Sequence, residues 1–219
     1  MLEVMGDTLP FAVGMLLSPF PLIVGLLILL SSSGTSGGVG YALGRLGGVA
    51  LTAVVASSLT EVITLESGSS RVSAVLRIIL GVALTVFAVV KWVRRPAPGD
   101  DVPGWMSSVE GRTPAGAARL GFVLSVANPK ELAFSVSAGL TIGGAGLPMA
   151  ETVLLALGYT VIACLTVIVP TVAFMINRDR MVGPSDRART WLVQNNGTIA
   201  SVVFLIIGST LIGGGLGQF

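Results

Sequence analysis

Lys130 and Glu131 stand side by side in a stretch, Pro114 to Gly144, that otherwise has the apolar character of a membrane span and carries only Arg119 besides. A charged side chain at the bilayer centre is unfavourable by about 2.5–3.5 kcal/mol on insertion scales, so such groups face a bundle interior or a wet cavity. The pair follows Asn128 and Pro129, and this order is that of a helix start. An Asn accepts from free amide donors, a Pro wastes no donor at the first helical position, and an acid at the third can reach back toward the cap. The quartet predicts a helix interrupted at mid-membrane, with a new N-terminus beside a cation.

The first apolar segment carries a matching interruption, Ser18-Pro19-Phe20-Pro21, in a run with no charge between Asp7 and Arg45. Each proline frees a carbonyl one turn upstream, Leu17 for Pro21 and Ser125 for Pro129, while the new helix starts leave amide donors unpaired. Two interrupted spans at corresponding places are a pointer to a transport site. Two positive helix ends and Lys130 suit an anionic group: a carboxylate, a phosphate or a sulfate. Glu131 points about 100° round the helix from Lys130, which disfavours a simple adjacent ion pair. Capping the backbone and acting as a protonatable coupling group both remain open for it. Ser18, Pro19, Pro21, Asn128, Pro129, Lys130 and Glu131 are therefore the expected substrate and transport residues.

These residues need membrane helices to hold them. With 53% hydrophobic and 11% charged residues in a chain of 219, the composition is that of a membrane protein. Six spans fit the pattern, at 9–31, 39–60, 72–93, 114–143, 150–176 and 192–215. The expected fold is all-α and integral to the membrane: six transmembrane helices as two inverted three-helix repeats, with helices one and four broken. Residues 1–95 form the first repeat, 96–113 a cytoplasmic linker and 114–219 the second repeat. Short matches support the repeat, GMLLS from Gly14 against GFVLS from Gly121, and Leu80-Gly81 against Ile207-Gly208.

Lys91, Arg94, Arg95, Arg112 and Arg119 flank one loop and Arg178, Arg180, Arg187 and Arg189 another, whereas the opposite face offers only Arg71 and Arg77. Positive charge collects on the cytoplasmic side, and Trp92, Trp105 and Trp191 fall there as well. This predicts a multi-pass protein of the inner (plasma) membrane with both termini outside. The acidic Glu3 and Asp7 do not suit a cleaved leader, so the first span is expected to stay. Ser31 to Gly38 reads as a flexible polar turn, and Pro170 as a kink in span five. Gly40, Gly44 and Gly48 clear one face of span two for close packing, within the chain or in a homodimer. Arg45 is expected to snorkel toward the cytoplasmic end, or else to serve as a gate or head-group contact. Glu61 and Arg77 are read as loop ion-pair residues or as parts of an outer gate.

Several chemistries are excluded. One cysteine, Cys164, and no histidine leave no intramolecular disulfide, dithiol carrier, Cys/His metal cluster or histidine relay. No Walker-type loop is present, a net charge of +2 is too scattered for nucleic acid, and no enzyme activity, metal or cofactor is expected.

The break at Ser18-Pro19-Phe20-Pro21, the Ala127-Asn128-Pro129-Lys130 motif and the three-plus-three layout resemble the LysE superfamily of exporters. Within it the Ala/Val/Gly-rich chain is most similar to an actinobacterial branch, the peptidoglycolipid-addressing and sulfolipid-addressing (GAP/Sap) proteins. The resemblance implies delivery of glycolipids to the cell surface, with Pro19, Pro21, Asn128, Pro129 and Lys130 in the transport-site role. It points to a transporter of an anionic lipid or glycolipid. The alternatives are proton-coupled export of an amino acid or small metabolite, and a scaffold subunit of a larger lipid-export complex. Expected partners are a membrane lipid or small anionic substrate, with a second copy or such a complex.

Overall fold

A computed structural model of the protein describes residues 1–59, 70–93, 109 and 111–216, and among these no strand occurs. The helices are α1 (Leu2–Leu16), α2 (Pro19–Leu30), α3 (Gly34–Ser58), α4 (Ser70–Val93), α5 (Pro114–Ala127), α6 (Pro129–Gly144), α7 (Met149–Ala163), α8 (Leu165–Ile176) and α9 (Arg178–Leu216). Among the described residues, α3 is the one unbroken helix long and apolar enough to cross a membrane. α1 with α2 and α7 with α8 each qualify as one span bent at a break, by 56° and 66°. Large apolar side chains such as Val86, Leu154, Val169 and Ile206 are exposed. Such a surface has to be covered by lipid or partners rather than water.

Both expected interruptions are present. α1 ends at Leu16 and α2 restarts at Pro19, with Ser18 extended between them. α5 ends at Ala127 and α6 restarts at Pro129, with Asn128 extended at φ −78° and ψ 113°. In both places a proline occupies the first helical position, where its missing N–H is not needed.

Three expectations about the connections are corrected. The polar stretch from Ser31 is a tight turn rather than a flexible link, because Gly34 adopts φ +53° and α3 begins there. The basic stretch after the fifth span is helical: Asn177 Oδ1 accepts from Arg180 N at 3.1 Å and Asp179 sits in the first turn, so α9 starts at Arg178. The fifth span bends at Cys164 and not at Pro170, which lies inside α8. The Cys164 carbonyl accepts from the amides of Val167 and Ile168, as at a fresh helix start. The bend lets α7 follow α1 and α8 follow α2.

The helices pair in a regular way. α3 packs on α5 and α6, the two halves of the fourth segment, while α7 and α8 pack on α1 and α2, the two halves of the first. α4 packs on α9, where Gly81 and Gly208 meet and a Cβ on Gly81 would lie 2.7 Å from the Gly208 carbonyl oxygen. At one end of the molecule the turns come together: Ser33 Oγ donates to the Arg112 carbonyl at 2.6 Å, and Arg178 Nη2 donates to that of Ser31 at 3.4 Å.

The α3–α5 seam is made of backbone. Gly40 and Gly44 lie against the carbonyls of Pro114 and Ala118, a Cβ on Gly48 would stand 2.8 Å from that of Ser125, and Gly121 faces the Tyr41 carbonyl. The glycine face of span two is therefore taken up inside the chain by α5, not left free for a second copy. The seam draws Tyr41 and Arg45 into the interior, and Ser125 Oγ closes it, donating to the Gly121 carbonyl at 3.0 Å with the Arg45 carbonyl 3.5 Å away.

Candidate functional site

Arg45 does not snorkel. Its side chain is 0% exposed, and Nη1 donates to Glu131 Oε2 at 2.6 Å, with the Glu131 side chain 1% exposed. α3 cannot turn this side chain outward, because the neighbouring glycines hold the helix flush against α5. Glu131 thus does not reach back as a capping-box acid; the opposite charge across the interior has claimed it. The pair is under-satisfied: among the described residues Arg45 Nε and Nη2 and Glu131 Oε1 are buried without a partner of hydrogen-bond geometry, although the Tyr41 hydroxyl and the Cys164 thiol lie beside the guanidinium. A guanidinium offers five donors in a planar fork and a carboxylate can accept two of them side by side. One bond is made here.

Tyr41 lies one turn before Arg45 on α3 and holds the other break. Its hydroxyl donates to the Pro21 carbonyl at 3.2 Å, and a Cβ on Gly25 would stand 3.5 Å from its ring. Residues at i and i+4 share a helix face, so a single turn of α3 grips the break of the first segment through Tyr41 and that of the fourth through Arg45.

Asn128 caps α6 as expected, Oδ1 accepting from Lys130 N at 3.1 Å. Ser18 stands at the matching position of α2 and is 5% exposed, but its side chain makes no cap bond. Pro19 and Pro21 are buried, Asn128 and Lys130 half-buried and Pro129 exposed. Lys130 turns away from its neighbour Glu131. Its ammonium sits 5.8 Å from the Phe134 ring centre and 5.6 Å from that of Phe204 on α9, and Phe204 meets Phe87 of α4 edge to face at 5.3 Å. Such ring faces attract a cation by about 0.5–2 kcal/mol, less than a carboxylate in the same place. No ion pair to Lys130 occurs among the described residues.

α1 meets α6 below the breaks. Tyr159 OH and Ser135 Oγ both donate to the Met15 sulfur, at 3.0 and 3.7 Å, and the Phe134 ring fills the space left by Gly14. Cys164 is buried beside them, as a small apolar residue would be.

The structure therefore joins Pro21, Arg45 and Glu131 through α3, and places Lys130 one helix position away on a different face. Ser18 and Asn128 are not linked by any hydrogen bond among the described residues. Glu61 lies outside the described residues, as does the Arg77 side chain. Tyr41, Phe204 and the role of Arg45 are absent from the sequence-based expectation. The i, i+4 spacing of Tyr41 and Arg45 inside the glycine run was the available signal for two of them. Two apolar surface grooves, of about 430 Å³ between α3 and α6 and about 310 Å³ between α4 and α9, include neither Lys130 nor the buried pair in their linings. Among the described residues no group of His, Cys, Asp and Glu could hold a metal ion.

No curated protein and no solved structure matches the chain. A family model does: the one described as Sap, sulfolipid-1-addressing protein, matches residues 8–217, nearly the whole length, and the chain belongs to that family.

Proposed function

We propose that the protein is a multi-pass transporter of the inner membrane that moves an anionic lipid or glycolipid toward the cell surface, holding its acidic head at Lys130. The observation that carries this reading is the state of Lys130: a half-buried ammonium at a fresh helix start that, among the described residues, meets aromatic faces and no carboxylate. Helix N-termini favour anions, and an arriving acidic group binds Lys130 without first displacing a carboxylate. The family description names a sulfolipid, whose head is acidic. Two inverted halves are supported by the pairing of α3 with α5 and α6 against that of α7 and α8 with α1 and α2, and by the Gly81–Gly208 contact. Both termini outside is supported by the common end shared by the turns at Ser31, Arg112 and Arg178. On this reading the chain carries out transport and not a chemical reaction.

The test compares a gene deletion with strains complemented by wild type or Lys130→Ala, quantifying surface-extractable glycolipids and medium amino acids from the same cultures. Loss of one acidic surface lipid, its intracellular accumulation and rescue by wild type alone are expected. Reduced efflux of an amino acid with unchanged surface lipids refutes the lipid substrate. Rescue by Lys130→Ala refutes the role of Lys130, and stable co-purification with a larger exporter in that case makes the chain a scaffold.

A further inference from the structure

The buried pair of Arg45 and Glu131 leaves part of its hydrogen-bonding capacity unused. Arg45 comes from α3 and Glu131 from the first turn of α6, so the ion pair bridges the element that grips both breaks and the helix start that carries Lys130. Among the described residues, two guanidinium nitrogens and one carboxylate oxygen are buried without a partner of hydrogen-bond geometry, with only the neutral Tyr41 hydroxyl and Cys164 thiol beside the guanidinium. A pair kept only for packing would normally have these satisfied, since an unpaired buried polar group is costly. A fork with free donors is what a planar or tetrahedral oxyanion binds with two parallel bonds.

We propose that Arg45 is a second oxyanion ligand of the transport path, and that Glu131 occupies it in the unloaded state as an internal competitor. This rests on Lys130 receiving the head group. An oxyanion brought to Lys130 is one helix position from Glu131; it takes over Arg45 as Glu131 leaves. Charge balances when the departing carboxylate takes up one proton from the aqueous side that supplied the anion, because an unpaired carboxylate is not tolerated in that interior. One anion and one proton enter, and Arg45 stays paired throughout. Through Tyr41, one turn away, the same exchange reaches the Pro21 carbonyl and so the other break. Among the described residues, the ionisable groups around Glu131 are Arg45 and Tyr41 of α3, Lys130 of α6, Tyr159 of α7 and Cys164 at the α7–α8 break. α1 contributes Met15, which does not titrate.

The test is saturation binding of a dansyl-labelled alkyl sulfate to the purified full chain in phosphatidylcholine nanodiscs, with the matching alkyl phosphocholine as control. Glu131→Gln removes the competitor's charge and keeps its shape; it is expected to bind the sulfate about tenfold tighter at neutral pH. Wild-type affinity should rise as pH falls, and that of Glu131→Gln should stay flat. Arg45→Gln/Glu131→Gln retains a neutral hydrogen bond, so that it folds without a buried lone charge, and should lose the gain. Equal affinity of wild type and both variants overturns the proposal and leaves the pair structural. If Lys130→Ala abolishes binding while Glu131→Gln matches wild type, the Lys130 reading stands and the competitor falls. If Lys130→Ala binds as wild type while the Arg45 and Glu131 variants behave as expected, the competitor stands and the Lys130 reading falls.

Discussion

Replacing Arg45 by Met tests how deeply the structure commits to its interior charge. The substitution keeps a long apolar stem and removes the guanidinium, leaving Glu131 with neither of its carboxylate oxygens bonded at 1% exposure. Breaking a buried pair from one side typically destabilises by about 3–5 kcal/mol, because a lone charge stays behind. The wild type already carries three unpaired buried atoms at this site, so removing both charges also removes those penalties. Arg45→Met/Glu131→Leu should therefore lie within about 1 kcal/mol of wild type or above it, a coupling of at least about 2–3 kcal/mol between the two positions. Unfolding of Arg45→Met, Glu131→Leu and the double variant in mixed micelles, titrated with a denaturing detergent and followed by far-ultraviolet circular dichroism, measures the three differences from wild type. A single-variant loss below about 1 kcal/mol is the behaviour of a solvent-screened pair and would refute the buried reading. A double variant as unstable as the single one would show that packing, not charge, explains the loss.

The glycine seam gives a sharper geometric contrast. Gly44→Ala drives a Cβ into the Ala118 carbonyl and should destabilise by about 1–3 kcal/mol, while Gly183→Ala, with nothing within 4 Å, should gain up to about 1 kcal/mol from helix propensity; thermal unfolding separates the two. Cys164, 1% exposed at the bend of the fifth span, should resist a membrane-permeant maleimide in the folded protein and react fully once denatured, so rapid labelling of the native protein would contradict the packing of α7 and α8 on α1 and α2.

What the sequence made legible was local grammar. A cap residue followed by proline marks a helix start wherever it occurs, which is why the breaks at Ser18 and Asn128 fall where expected and why Asn128 does cap. The glycine spacing announced close packing in the same way, though not that α5 would fill it. Long-range pairing was not legible. Nothing near Arg45 indicates that its partner lies 86 positions away, and an arginine near the predicted end of a span looks like one that reaches for water. Of the two readings open for Glu131, capping fails for the complementary reason: its position in the first turn satisfies the capping-box spacing, and only the fold shows a stronger claim on it. The bend at Cys164 was hidden because Pro170 drew attention from the real constraint, a curved partner that the fifth span must follow.

The separation of Arg45 from Glu131 has a consequence for how the chain is made. During synthesis at about 5–20 residues per second, the 86 positions between them take roughly 4–17 s to emerge. Over that interval α3 holds an arginine with no counter-charge, at the insertion penalty such a residue incurs in lipid. α3 therefore gains its counter-charge only when α6 arrives. A ribosome halted before Glu131 leaves a segment with reason to linger at the insertion machinery or be degraded, and completion of the fourth segment is what lets the second one commit to the bilayer.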